Sequence, residues 1–162
     1  MKMDAPLEVG ICCRDLSQLS TFYIGVLGCT PVSVISVGAE RAQLAHLSGG
    51  AYRVARLQTP WGERIKLLQP AAAPAPNEPD RWILDRQGTA YLTFIVGDLE
   101  AIVGRLRSEQ IELMTGKRPV EIRPGVWLAF ARDPEGNLLE FVEYEVLSDY
   151  RNDVAPAATR VR

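Results

Sequence analysis

The sequence predicts an α+β protein made of two βαβββ modules, and three observations carry that prediction. A strand-then-helix segment occurs twice, a Gly-containing turn followed by a strand occurs twice, and a Pro- and Ala-rich stretch separates the copies. Internal repetition is informative because one copy constrains the reading of the other. The strand–helix copies are "LEVGICCRDLSQLSTFYIGVLG" (Leu7–Gly28) and "AYLTFIVGDLEAIVGRLRSEQI" (Ala90–Ile111). The turn–strand copies are "PWGERIKLLQP" (Pro60–Pro70) and "DPEGNLLEFVE" (Asp133–Glu143).

In the first strand Leu7, Val9, Ile11 and Cys13 share one face, and Glu8, Gly10 and Cys12 share the other. Asp15 then caps a helix whose apolar stripe is Leu16, Leu19, Phe22, Tyr23 and Val26. Further strands are expected over Thr30–Val37, Tyr52–Gln58 and Arg64–Gln69. "AAAPAPNEPDRW" (Ala71–Trp82) reads as an extended linker, placed at 71–88. In the second copy Leu92, Phe94 and Val96 face the helix, leaving Tyr91 and Thr93 on the other side. Asp98 caps that helix, with Leu99, Ile102, Val103 and Leu106 as its stripe. The last three strands are expected at Glu112–Thr115, Val126–Ala131 and Leu138–Tyr144. The modules are thus placed at 6–70 and 89–147, with a polar tail at 148–162. A module of about 60 residues is too small to bury a comfortable core alone.

Parity along the last strand of each copy puts Ile65 and Leu67 inward with Lys66 and Leu68 opposite. Leu139 and Phe141 match the inward pair, leaving Glu140 and Val142 opposite. Four matched positions follow from parity and repetition: Glu8, Lys66, Tyr91 and Glu140.

Composition excludes several classes. Apolar residues make up 47% and charged residues 23%, and the net charge of −2 gives no reason to expect nucleic acid or an anionic membrane as partner. No apolar run nears the roughly 20 residues of a membrane span. The segment Met1–Pro6 lacks the pattern of a secretory signal, and three cysteines suggest no disulfide framework, so the cytoplasm is expected. Adjacent Cys12 and Cys13 read as packing rather than metal ligands. There is no Gly-x-Ser-x-Gly elbow and no phosphate-binding Gly-x-x-x-x-Gly-Lys-Ser/Thr loop.

With those motifs on the page, the chain resembles the vicinal oxygen chelate superfamily, which includes glyoxalase I, methylmalonyl-CoA epimerase, extradiol dioxygenases and antibiotic-binding resistance proteins. The resemblance runs from about Leu7 to Tyr144 and rests on the first strand–helix segment, "TFIVGDL" and "RDPEGNLLEFVE". It implies glyoxalase-like paired modules forming a curved mixed sheet around a ligand cavity, often with a divalent metal. In metal-dependent relatives the position of Glu8 is usually His, that of Lys66 usually Glu, Gln or His, and that of Tyr91 usually His; Glu140 alone keeps a familiar ligand type. An ammonium repels a divalent ion and a neutral phenol is a poor ligand, so no metal and no other cofactor are expected.

Such a quartet suits metal-free proton abstraction beside a carbonyl: isomerisation, epimerisation or elimination on a small or medium-sized ketone or thioester. Glu8, ahead of Glu140, would be the base; Tyr91 would donate to the developing oxyanion, and Lys66 would add charge. Metal-free chemistry of this type is established for ketosteroid isomerase, with an Asp base and a Tyr donor. The plainer reading of Lys66 with its carboxylates is a structural ion pair. The same residues are also compatible with a non-catalytic drug-binding protein of the resistance type, or with a metal-dependent enzyme that has an atypical ligand set. His46, the one histidine, lies in a loop edged by Gly38, Gly49 and Gly50 and is a candidate substrate-binding residue, as is Trp127. Arg53, Arg56, Arg64 and Arg123 could meet an anionic substrate, with solvation as the ordinary reading. A homodimer is expected.

Overall fold

The structure, a computed structural model, describes residues 3–76, 82–85 and 87–154. The chain divides into two compact units, Met1–Asp85 with Asp133–Asn137, and Arg86–Arg132 with Leu138–Arg162. Part of the expected linker (77–81 and 86) and of the expected tail (155–162) lies outside the described residues.

The first unit holds β1 (Glu8–Cys12), α1 (Leu16–Gly25), β2 (Thr30–Val37), α2 (Ala39–Leu44), β3 (Tyr52–Gln58) and β4 (Arg64–Pro70). Its sheet has the order β1-β4-β3-β2, with β1 parallel to β4 and the other pairs antiparallel. Asp15 caps α1 by accepting from the Gln18 N–H. The helix stripe Leu16, Leu19, Phe22, Tyr23 and Val26 is buried, as are Ala55, Leu57, Ile65 and Leu67 of the sheet. Each such large apolar side chain contributes roughly 1.5–3 kcal/mol of hydrophobic stabilisation. Leu7, expected to face the helix, is 70% exposed because β1 begins only at Glu8.

The turn Asp133–Asn137 completes this unit. Asp133 is buried, and its carboxylate accepts from the backbone N–H groups of Glu135 and Asn137, from Asn137 Nδ2 at 2.8 Å and from the Tyr23 hydroxyl at 3.2 Å. Glu135 accepts from the N–H groups of Arg14 (2.8 and 2.9 Å) and Asp15 (2.6 Å), just before α1, where an anion also complements the helix dipole.

The second unit holds β5 (Leu92–Ile95), α3 (Leu99–Ser108), β6 (Val120–Arg123), β7 (Val126–Arg132), β8 (Leu138–Tyr144) and α4 (Leu147–Tyr150). Its sheet repeats the first, in the order β5-β8-β7-β6 with β5 parallel to β8. Asp98 caps α3 by accepting from the Ala101 N–H, and Glu143 accepts from the Leu99 N–H at 2.6 Å. Leu99, Ile102, Val103 and Leu106 are buried with Ala129, Ala131, Leu139 and Phe141. Neither sheet is closed.

One expected strand is corrected. The strand expected at Glu112–Thr115 is a single bridge, Leu113 to Ala131, and β6 lies at Val120–Arg123. Pro124 followed by Gly125 (φ 74°) makes the two-residue connection from Arg123 to Val126, which fixes the pairing there instead. A helix that the sequence reading did not place opens the polar tail: α4 forms, and Tyr150 stacks on Tyr144 with centroids 4.5 Å apart.

Candidate functional site

Paired residues lie on the same side of a sheet, so the register sorts side chains by face. In the first sheet Glu8, Gly10 and Cys12 of β1 align with Arg64, Lys66 and Leu68 of β4. Those residues align in turn with Gln58, Arg56 and Val54 of β3. This face lies opposite the one carrying Ile65 and Leu67, whose side chains are buried with the α1 stripe. Glu8 and Lys66 are diagonal neighbours, and Lys66 Nζ stands 3.4 Å from Glu8 Oε2. Their side chains are 38% and 33% exposed, so the pair is partly solvated and contributes little to stability. Arg64 Nε donates to Gln58 Oε1 at 3.1 Å, which steers its guanidinium.

All three cysteines are free thiols. Cys12 is exposed on the open face, while Cys13 and Cys29 are buried. Burial, reinforced by Glu135, pushes the Cys13 thiol up to about 12, and burial raises Cys29 to about 11.

In the second sheet Thr93 aligns with Glu140, and Glu140 with Phe130. The Thr93 hydroxyl donates to Glu140 Oε2 at 2.6 Å, holding one carboxylate oxygen. Tyr91, 38% exposed, meets Phe130 edge-on at 5.1 Å and 82°. Val142, expected to be open, is buried.

The structure therefore brings Glu8 together with Lys66, and places Tyr91, Thr93, Phe130 and Glu140 on one face of the second sheet. Trp127 is not with them. It aligns with Glu143, on the side of Phe141 and Ala129, because one residue of parity separates it from Leu128. His46 lies exposed in the loop after α2, with φ 52°. Thr93 and Phe130 escaped the sequence reading as site residues; the cross-strand register of β5 and β7 against β8 was the missing signal.

Residues 6–141 match the family described as the Glyoxalase/Bleomycin resistance protein/Dioxygenase superfamily. The chain belongs to that superfamily. A search of curated proteins finds no match. A glyoxalase family protein from Bacillus cereus is similar in structure, with a TM-score of 0.73 at 22% identity, covering 89% of this chain and 96% of that one. A glyoxylase/bleomycin resistance protein/dioxygenase domain from Frankia superposes with a TM-score of 0.67 at 19% identity, covering 88% and 99%. The fosfomycin resistance protein FosX of Listeria monocytogenes, solved with Mn(II) and sulfate, gives 0.58 at 10% identity, covering 92% and 99%.

The superfamily contains both enzymes and resistance proteins. Its divalent metal does not suit the side chains at these positions. Among the described residues no group of three or more His, Cys, Asp and Glu side chains is placed to hold a metal ion. In the first unit the ammonium of Lys66 already neutralises Glu8, and in the second the partners of Glu140 are hydroxyl and aromatic groups.

Proposed function

We propose that this member of the superfamily is a metal-independent lyase or isomerase that removes a proton beside the carbonyl of a small or medium-sized ketone or thioester. One observation carries the reading: Lys66 Nζ lies 3.4 Å from Glu8 Oε2 on an open sheet face, at positions where metal-using relatives carry ligands. That distance exceeds the roughly 2.7–2.9 Å of a tight charge-assisted hydrogen bond, so the carboxylate keeps lone pairs for a substrate proton. Glu8 takes the proton from carbon, the electron pair moves into the carbonyl to give an enolate, and the Lys66 ammonium offsets its charge. On the sheet of the second unit, Tyr91 is a neutral phenol donor of the kind that suits an oxyanion. Protonated Glu8 returns the proton to a different carbon or face, or a leaving group departs in its place. Glu140 is the second candidate base, and Thr93 leaves its other carboxylate oxygen available. The working unit is proposed to be a cytoplasmic homodimer, with sedimentation equilibrium as its check.

The test is deuterium uptake. Ketones and acyl thioesters incubated with the protein in D2O should lose α-proton signal in 1H NMR, and Glu8→Gln should slow the loss at least a hundredfold while leaving the circular dichroism unchanged. Uptake undiminished in Glu8→Gln removes Glu8 from the role. A second reading, non-catalytic drug binding, draws on the Tyr91–Phe130 edge-on pair, an aromatic wall of the kind that holds a ring. It predicts tight binding of an aromatic ligand with no uptake at all.

A further inference from the structure

Across the middle of the first sheet runs one row of aligned residues: Ser33 of β2, Arg56 of β3, Lys66 of β4 and Gly10 of β1. The next row contains Gln58, Arg64 and Glu8. Three cations thus share one face with a single carboxylate. Like charges directly opposite on neighbouring strands are destabilising, and Arg56 and Lys66 are such a pair. Lys66 is neutralised by Glu8, but no carboxylate lies within ion-pair distance of Arg56 or Arg64 among the described residues. Arg56 is half-buried, so solvent only partly screens its charge. Gly10 leaves the space beside Lys66 without a side chain, and a Cβ there would approach Leu68 Cδ1 to 3.3 Å. Ser33 adds a hydroxyl beside Arg56.

We infer that this row binds a doubly charged oxyanion group of the substrate, a phosphate or phosphonate. The inference rests on the open face of the first sheet being the substrate surface. Arg56 provides the planar fork that matches two oxygens of such a group, Lys66 a point charge next to it, and Arg64, steered by Gln58, closes the border. The net charge of the cluster after Glu8 is counted is +2, which a dianion neutralises and a carboxylate does not.

Binding, not turnover, tests this. Inorganic phosphate and methylphosphonate, titrated calorimetrically into the whole chain at low ionic strength, should bind, and acetate should bind at least tenfold more weakly. Arg56→Gln should weaken phosphate at least tenfold, with Arg56→Lys intermediate and the far-ultraviolet circular dichroism of each unchanged. Arg53→Gln should leave it unaltered, since Arg53 aligns with Gln69 rather than Lys66. Glu8→Gln should tighten phosphate several-fold while slowing deuterium uptake at least a hundredfold, so that failure of the catalytic reading and failure of this one are separate results. No phosphate binding, equal binding by Arg56→Gln, or acetate binding as strongly as phosphate would each overturn the inference.

Discussion

Replacing Tyr23 by Phe removes one oxygen from the interior of the first unit and leaves the ring in place. That hydroxyl is fully buried with its residue and donates to Asp133 Oδ2 at 3.2 Å, joining positions 110 apart in sequence. A hydrogen bond to a charged partner is worth roughly 1.5–3 kcal/mol. Here the bond is long, and Asp133 keeps three other donors: two backbone N–H groups and Asn137 Nδ2. The expected loss is therefore about 1–2 kcal/mol, or roughly 2–8 °C in Tm for a chain of this length. Asp133→Ala is the contrasting change. It leaves the Tyr23 hydroxyl and three N–H donors without their acceptor, and should cost about 3–5 kcal/mol. Urea unfolding followed by circular dichroism measures both, and equal m-values keep the comparison valid. If Tyr23→Phe leaves the midpoint unmoved, or Asp133→Ala costs no more than Tyr23→Phe, the turn is not seated on α1 as described.

Further outcomes follow from the same geometry. Above pH 9, the ordinary thiol value, unfolded Cys13 and Cys29 release protons that the folded chain retains until about 12 and about 11. Stability is therefore full below pH 9 and falls as pH rises through that window, by about 1.4 kcal/mol per pH unit for each thiol. Replacing either thiol by Ala should flatten the slope in pH-dependent urea titrations, whatever the loss of packing does to the midpoint. Burial and the neighbouring Asp133 raise the Tyr23 phenol in the same direction, so Tyr23→Phe should flatten the slope above pH 10. Asp98→Ala removes the cap of α3 and should cost about 1 kcal/mol by thermal unfolding. Lys66→Met should change stability by less than about 1 kcal/mol, because its ion pair is partly solvated, while slowing deuterium uptake at least tenfold.

Most of the fold was legible because the signals were local and repeated. Asp15 and Asp98 mark both helix starts, and the buried stripes of α1 and α3 follow the 3.6-residue period. The strands Thr30–Val37, Tyr52–Gln58 and Leu138–Tyr144 fall where alternation and turns put them. The displaced β6 shows the limit of that approach. Glu112–Thr115 looked like a strand, but the Pro124-Gly125 turn decides which residues can pair with β7, and only Leu113 is left with a bridge. α2 has no apolar stripe, only Ala42 buried, so periodicity was silent. At the site, parity sufficed for Glu8 and Lys66 because they lie on adjacent strands of one unit. It could not find Thr93 beside Glu140 or Phe130 beside Tyr91, since partners across strands depend on register and not on sequence spacing. Trp127 lies on the opposite face from Glu140, one residue of parity away from Leu128.

The turn Asp133–Asn137 completes a unit whose other residues end at Asp85. During synthesis the first unit must therefore wait for about 50 further residues before Tyr23 meets its acceptor, some 3–10 s at ordinary elongation rates. A gene split near residue 85 would yield a first fragment with a buried hydroxyl and two helix-start N–H groups left unanswered. Such halves should become soluble and stable only when supplied together.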